Sequence, residues 1–229
     1  YMAESTTYVN GLLQVRIDYA FTELHKDEVT PEVISITIPK NAKYVDNSLT
    51  LDGKPLGDED VYVDETHLEI PVSKHTGILR WMFRPYDHKV MSSTAKIQFK
   101  TAEQSMADVI GEIKVEVPAI TLSGSSQTSS REVLLYGTAI PGEKIGIYDG
   151  AVRIGTATAS KAGNWKVTVP LNEPQNGSLH EIQARIYMGT SEEVTSNAIE
   201  ISYNEEYLEV TEFTVHNNSK YPFMEFPNI

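Results

Sequence analysis

Glu23, His25 and Asp27 alternate along the chain, and His67 with Glu69 repeats that relation. In an extended strand, alternate residues share one face at ~6.6 Å spacing, so each imidazole would stand beside a carboxylate. Two such His/carboxylate sets converging from separate elements would supply the four ligands of a metal site. Polar strand faces in solvent carry such pairs by chance, however, and no other histidine spacing suggests a ligand set. The chain has no cysteine, which excludes a thiolate zinc site. The sequence therefore assigns no metal.

Nucleophilic catalysis finds no support either. The serines of residues 123–130 lie in a linker-like composition, with no Gly-x-Ser-x-Gly elbow and no positioned histidine. Gly-rich phosphate loops are absent, so no cofactor is expected. Carboxylates are plentiful, yet the paired acids of a glycosidase need a cleft that small sandwiches rarely form. No catalytic residue is assigned. Tyr86, Asp87 and His88 follow Pro85 at an expected loop tip, where binding residues tend to sit, and they form the candidate ligand contact. Trp81 and Trp165 could stack on a sugar ring, but each alternates in phase with aliphatic residues and is expected in a core. An internal Lys–Asn cross-link would need Lys on a domain's first strand and Asn on its last. Asn197 has no such lysine to meet. Asn176-Gly177-Ser178 and Asn217-Asn218-Ser219 match the glycosylation acceptor pattern, a match that would be chance in a bacterial host.

The elements that must position these residues are strands. No segment sustains a 3.6-residue period, and strand alternation broken by Gly, Pro, Asn and Asp runs through the whole chain. Leu13, Val15, Ile17, Tyr19 and Phe21 share one face, as do Ile34, Ile36 and Ile38, and then Leu68, Ile70 and Val72. Leu79, Trp81 and Phe83 alternate with Arg80, Met82 and Arg84, and the set closes with Ile97, Phe99, Ile113, Val115 and Val117. Asp52-Gly53 and Asp149-Gly150 predict type I′ hairpins, and Pro141-Gly142 predicts a type II turn. Trp165, Val167 and Val169 predict an inward face after Gly163-Asn164, followed by Ile182, Ala184 and Ile186, then Ile199, Ile201 and Tyr203. These rhythms divide the chain into residues 1–117 and 118–204. The Ser-rich run at 123–130 forms the first loop of the second unit, or else a hinge. Residues 205–229 start a truncated third module or add an edge strand.

The expected fold is all-β, with two immunoglobulin-like antiparallel β-sandwich domains in tandem. A formal net charge of −13 repels phosphate backbones and anionic lipid, so neither nucleic acid nor membrane insertion is expected. No apolar run approaches the ~20 residues that a spanning helix needs. The start, Tyr1-Met2-Ala3-Glu4, lacks the basic and apolar regions of a signal peptide, so the chain is expected to be either cytosolic or an excised or mature segment, and its ragged ends favour a piece of something longer. A secreted all-β chain without cysteine fits a Gram-positive surface.

Residues 119–203 resemble bacterial immunoglobulin-like repeats. The resemblance rests on Gly137-Thr138-Ala139, Pro141-Gly142, Ile145, Ile147-Tyr148-Asp149-Gly150, Ile154-Gly155-Thr156 and Gly163-Asn164-Trp165. Family members often carry an Asp before the Gly-Asn-Trp turn. Here Ser160-Lys161-Ala162 stands instead, which argues against calcium at that loop. Residues 6–117 resemble a bacterial surface-protein sandwich repeat of unknown function, through Ile38-Pro39, Tyr44-Val45, Ser48 to Pro55, and Gly77 to Trp81. The resemblances imply a non-catalytic extracellular segment of a modular surface protein, acting as stalk, spacer or adhesion module and monomeric in isolation. The alternatives are a domain-one module that binds a host protein or a cell-wall glycan, and accessory domains of a secreted polysaccharide- or peptide-processing enzyme.

Overall fold

The computed structural model of the protein describes residues 1–21, 28–103, 106–187 and 193–206. The described residues hold no helix, so none is long and apolar enough to cross a membrane. Eleven strands precede residue 116: β1 (Met2–Val9), β2 (Leu12–Ala20), β3 (Val29–Thr37), β4 (Ala42–Tyr44), β5 (Thr50–Leu51), β6 (Lys54–Pro55), β7 (Tyr62–Val63), β8 (His67–Pro71), β9 (Thr76–Pro85), β10 (Met91–Thr101) and β11 (Met106–Val115). They form one sheet in the order β1-β2-β9-β5-β6, with β4 also on β9, and a second in the order β11-β10-β3-β8-β7.

Period-two alternation decides which faces meet. Leu13, Val15 and Ile17 on β2 lie opposite Phe83, Trp81 and Leu79 on β9, and all six are buried. Ile34 and Ile36, Leu68 and Ile70, and Ala95 and Ile97 bury the facing side of the second sheet. Trp81 and Phe83 pack edge to face, with centroids 6.1 Å apart. Both tryptophans are core residues: Trp165 is buried and its indole Nε1–H donates to Thr138 O at 3.0 Å.

The remaining strands are β12 (Gln127–Thr128), β13 (Glu132–Thr138), β14 (Lys144–Asp149), β15 (Val152–Thr158), β16 (Asn164–Pro170), β17 (Leu179–Ile186), β18 (Val194–Thr195) and β19 (Ile199–Tyr203). Sheet β12-β19-β17-β14-β15 carries β18 on β17, and β13 pairs with β16. The chain is therefore an all-β, immunoglobulin-like sandwich protein. The Ser-rich run is tied into the later strands. Ser123 and Tyr136 exchange backbone hydrogen bonds at 2.7 and 3.1 Å, and Ser202 N donates to Ser126 O at 2.8 Å. Asn197 does not cross-link but clamps Leu122, accepting from its N–H at 3.0 Å and donating to its carbonyl at 2.9 Å.

Two details differ from the sequence reading. Strand β1 precedes the expected first strand and is joined to β2 through Asn10 and Gly11, with φ of 51° and 80°, a type I′ turn. The second-half hairpin does not turn at Asp149-Gly150. Asp149 still pairs with Val152, so Gly150-Ala151 form the loop with φ of 60° at Gly150, a type II′ pattern. The residues read as a third module from 207 onward lie outside the described residues.

Candidate functional site

The β9–β10 loop carries Tyr86, Asp87 and His88, and the structure gives its acid a bracing role. Asp87 Oδ1 accepts from Lys89 N and from the Asn41 side chain, each at 2.9 Å. Tyr86 N donates to Asn41 O at 2.9 Å, so both residues fasten the loop to the turn before β4. His88 is half-buried, and its Nδ1 is enclosed with no hydrogen-bond partner among the described residues. Of the three, Tyr86 borders a groove of about 630 Å³ whose walls include Lys40, Lys43, Tyr44 and Asp64. The sequence placed the loop correctly but could not show that Asp87 is spent on its own backbone.

The His67 pair does stand on one strand, with Nε2 3.2 Å from Glu69 Oε1. Its other neighbour is Asp64, whose Oδ1 accepts from Thr66 N at 2.7 Å and His67 N at 2.8 Å. Those backbone amides hold the Asp64 carboxyl well below the usual range. A carboxylate so satisfied is a turn anchor. Among the described residues no three His, Asp or Glu side chains converge as a metal site. Glu23, His25 and Asp27 lie outside the described residues.

Sequence reasoning missed a Ser–His–Asp arrangement in the second half. Asp149 Oδ2 lies 2.6 Å from His180 Nδ1, and His180 Nε2 lies 2.7 Å from Ser178 Oγ. An ionised carboxylate only accepts, so Nδ1 carries a proton, and in the neutral ring Nε2 accepts from the serine hydroxyl. That is the geometry of an activated nucleophile. An acyl-transfer site also needs free amides aimed at the developing oxyanion. Gly177 N is bonded to Tyr203 O at 2.9 Å and Ser178 N to Gln175 O at 2.8 Å, so both nearest amides are spent. Asn172 N also holds Asp149 Oδ2, at 2.9 Å. The network pins the β14–β15 and β16–β17 connections to β17. Asp149 and His180 are 31 residues apart in sequence, and only strand pairing brings them together.

A close backbone contact joins the two sets of strands. Gly11 N, in the β1–β2 turn, donates to Pro141 O at 3.0 Å. A Cβ at Gly142 would lie 2.9 Å from Asn10 Cα and N, and a Cβ at Gly11 would run into the Glu143 carboxylate. Both glycines have φ near +80°, so turn geometry and close approach each demand glycine. Glu143 is only 6% exposed, and burial pushes its carboxyl up to about 7 against the opposing charge of Arg84. The Arg84 guanidinium stands 5.4 Å over the Tyr187 ring. Tyr8 OH donates to Glu116 O at 3.1 Å, and burial pushes its phenol up to about 12. Beside this contact a cleft of about 650 Å³ opens between Tyr8, Asn10, Pro141 and Lys161.

No family model matches the chain, and no curated protein matches it. Among solved structures it is similar to the collagen-binding subdomain of the Enterococcus faecalis surface protein ACE, at 9% identity and TM-score 0.39, covering 50% of this chain and 95% of that one. The major pilin subunit BcpA of Bacillus cereus is 12% identical with TM-score 0.42, covering 90% of this chain and 67% of that one. The full-length major pilin SpaD of Corynebacterium diphtheriae is 9% identical with TM-score 0.42, covering 93% and 61%. With TM-scores below 0.5, these likenesses carry no argument about function.

Proposed function

We propose that the chain is a non-catalytic spacer segment of a modular bacterial surface protein, in which two sandwiches are held against each other by the contact at Gly11 and Pro141-Gly142-Glu143. The observation that carries the reading is that contact itself. A flexible tether leaves the facing turns free to take side chains. Here two positive-φ glycines meet backbone to backbone, and a glutamate is buried between them. The surface location, outside a Gram-positive wall, is supported by the resemblance of residues 119–203 and 6–117 to surface repeats. The spent amides around Ser178 and the self-satisfied carboxylates of Asp64 and Asp87 support a chain without catalytic chemistry.

A second reading is favoured by the groove beside Tyr86, which would make the first sandwich a binding module for a host protein or a cell-wall glycan. An array of both ligand classes probed with the full chain separates the two. The spacer reading expects no signal above background at physiological salt. Reproducible binding that survives such salt and is lost in Tyr86→Ala would replace it with the second.

A further inference from the structure

We propose that the contact between the sandwiches is proton-gated. With the Glu143 carboxyl neutral the Asn10-Gly11 turn seats against Pro141-Gly142-Glu143, and ionisation of that carboxyl loosens the seat. The inference rests on the spacer reading and adds to it a control by pH.

The geometry supplies the reason. Glu143 is 6% exposed, and its carboxylate lies over Gly11 so closely that not even a methyl group would fit between them. The Gly11 amide on that side is already given to Pro141 O at 3.0 Å and is not available to solvate a charge. At 6% exposure a carboxylate there keeps little of its water, and removing a charge from water costs far more than removing the neutral acid. Undocking would expose the group and restore hydration. Glu143 is therefore an acid whose neutral form belongs to the docked state.

Among the described residues, the charged and titratable groups around it do not reverse that preference. Arg84, on β9, is the cation whose field reaches the carboxyl and favours its ionised form, yet burial outweighs it. Arg84 also lies against the Tyr187 ring, beyond β17. Tyr8, on β1, stays neutral because burial raises its phenol to about 12. Lys161, between β15 and β16, borders the adjoining cleft, and Lys144, next along β14, is exposed.

The sign follows from linkage. The docked carboxyl titrates near 7 and the undocked one near its ordinary 4.5, so the stabilising contribution is complete below that ordinary value and is lost as pH rises through about 7. Each unit of difference is tenfold, so the docking equilibrium should fall on the order of 100-fold from pH 4.5 to pH 8.5.

The absence of native cysteine allows the full chain to be labelled at Lys54→Cys and Leu179→Cys, one exposed site on each sandwich. Single-molecule energy transfer between the labels should give one narrow distance at pH 5 and a broad distribution at pH 8.5, with a midpoint near 7. Glu143→Gln should stay narrow at both, and Gly11→Ala should be broad at both while each sandwich still melts cooperatively. A narrow distance for the unsubstituted junction at both pH values would overturn the gating and leave the spacer reading standing. A broad one at both would overturn the two together. An unchanged pH response in Glu143→Gln would also overturn the gating, by assigning it to another group.

Discussion

His180 carries more of the second sandwich than its place on a strand suggests. Its ring is 5% exposed and spans from Asp149 to Ser178, so deleting it leaves a buried carboxylate with the Asn172 amide as its remaining donor among the described residues. Removing a donor from a buried charged acceptor costs about 1–3 kcal/mol. His180→Ala should therefore destabilise by about that amount in urea melts, and Ser178→Ala should cost about 2 kcal/mol, the loss of two partly exposed hydrogen bonds, to His180 Nε2 and from Gln175 N. Ser178 should also resist a fluorophosphonate probe, since the neighbouring amides are spent. Stoichiometric labelling at Ser178 would show that the arrangement is chemically competent. None of this was legible in the sequence, where Asp149 looks like a turn residue and the serine and histidine are two ordinary strand neighbours. Hydrophobic alternation, by contrast, placed Trp81 and Trp165 in cores, because burial follows from period two alone.

At the scale of elements, similar glycines have different jobs. Gly53 and Gly142 have φ of 80° and 77°, but a Cβ at Gly53 meets nothing within 4 Å while one at Gly142 meets the Asn10 backbone at 2.9 Å. Left-handed strain alone costs ~1–2 kcal/mol. Gly53→Ala should lose about that much and leave the junction intact, and Gly142→Ala should also undock the turns. Equal effects on stability and on interdomain contact, measured by melting and by energy transfer, would contradict this distinction. Dipeptide signals found the turn at Asp52-Gly53 but misplaced the one at Gly150, because the strand pairing of Asp149 with Val152 holds Asp149 in β14. Strand β1 escaped notice because its exposed and half-buried residues carry no strong alternation. Its signal was Asn10-Gly11, a type I′ pair followed by the clear alternation of β2.

At the scale of the molecule, each hydrophobic face is legible by itself, but how the sandwiches meet is not. The meeting depends on Gly11, Pro141, Gly142 and Glu143, each of which has a sufficient local explanation as a turn residue or a surface acid. Only their apposition reveals a buried carboxyl between two backbones. The candidate loop at Tyr86–His88 was found from its position, yet its acid turns out to be structural. The central claim is that the two sandwiches move as one body through this junction. The most direct test is amide ¹⁵N relaxation of the full chain at pH 5. The account predicts one common rotational correlation time and diffusion tensor for β1–β11 and β12–β19. Separate and shorter correlation times for the two sets would contradict it.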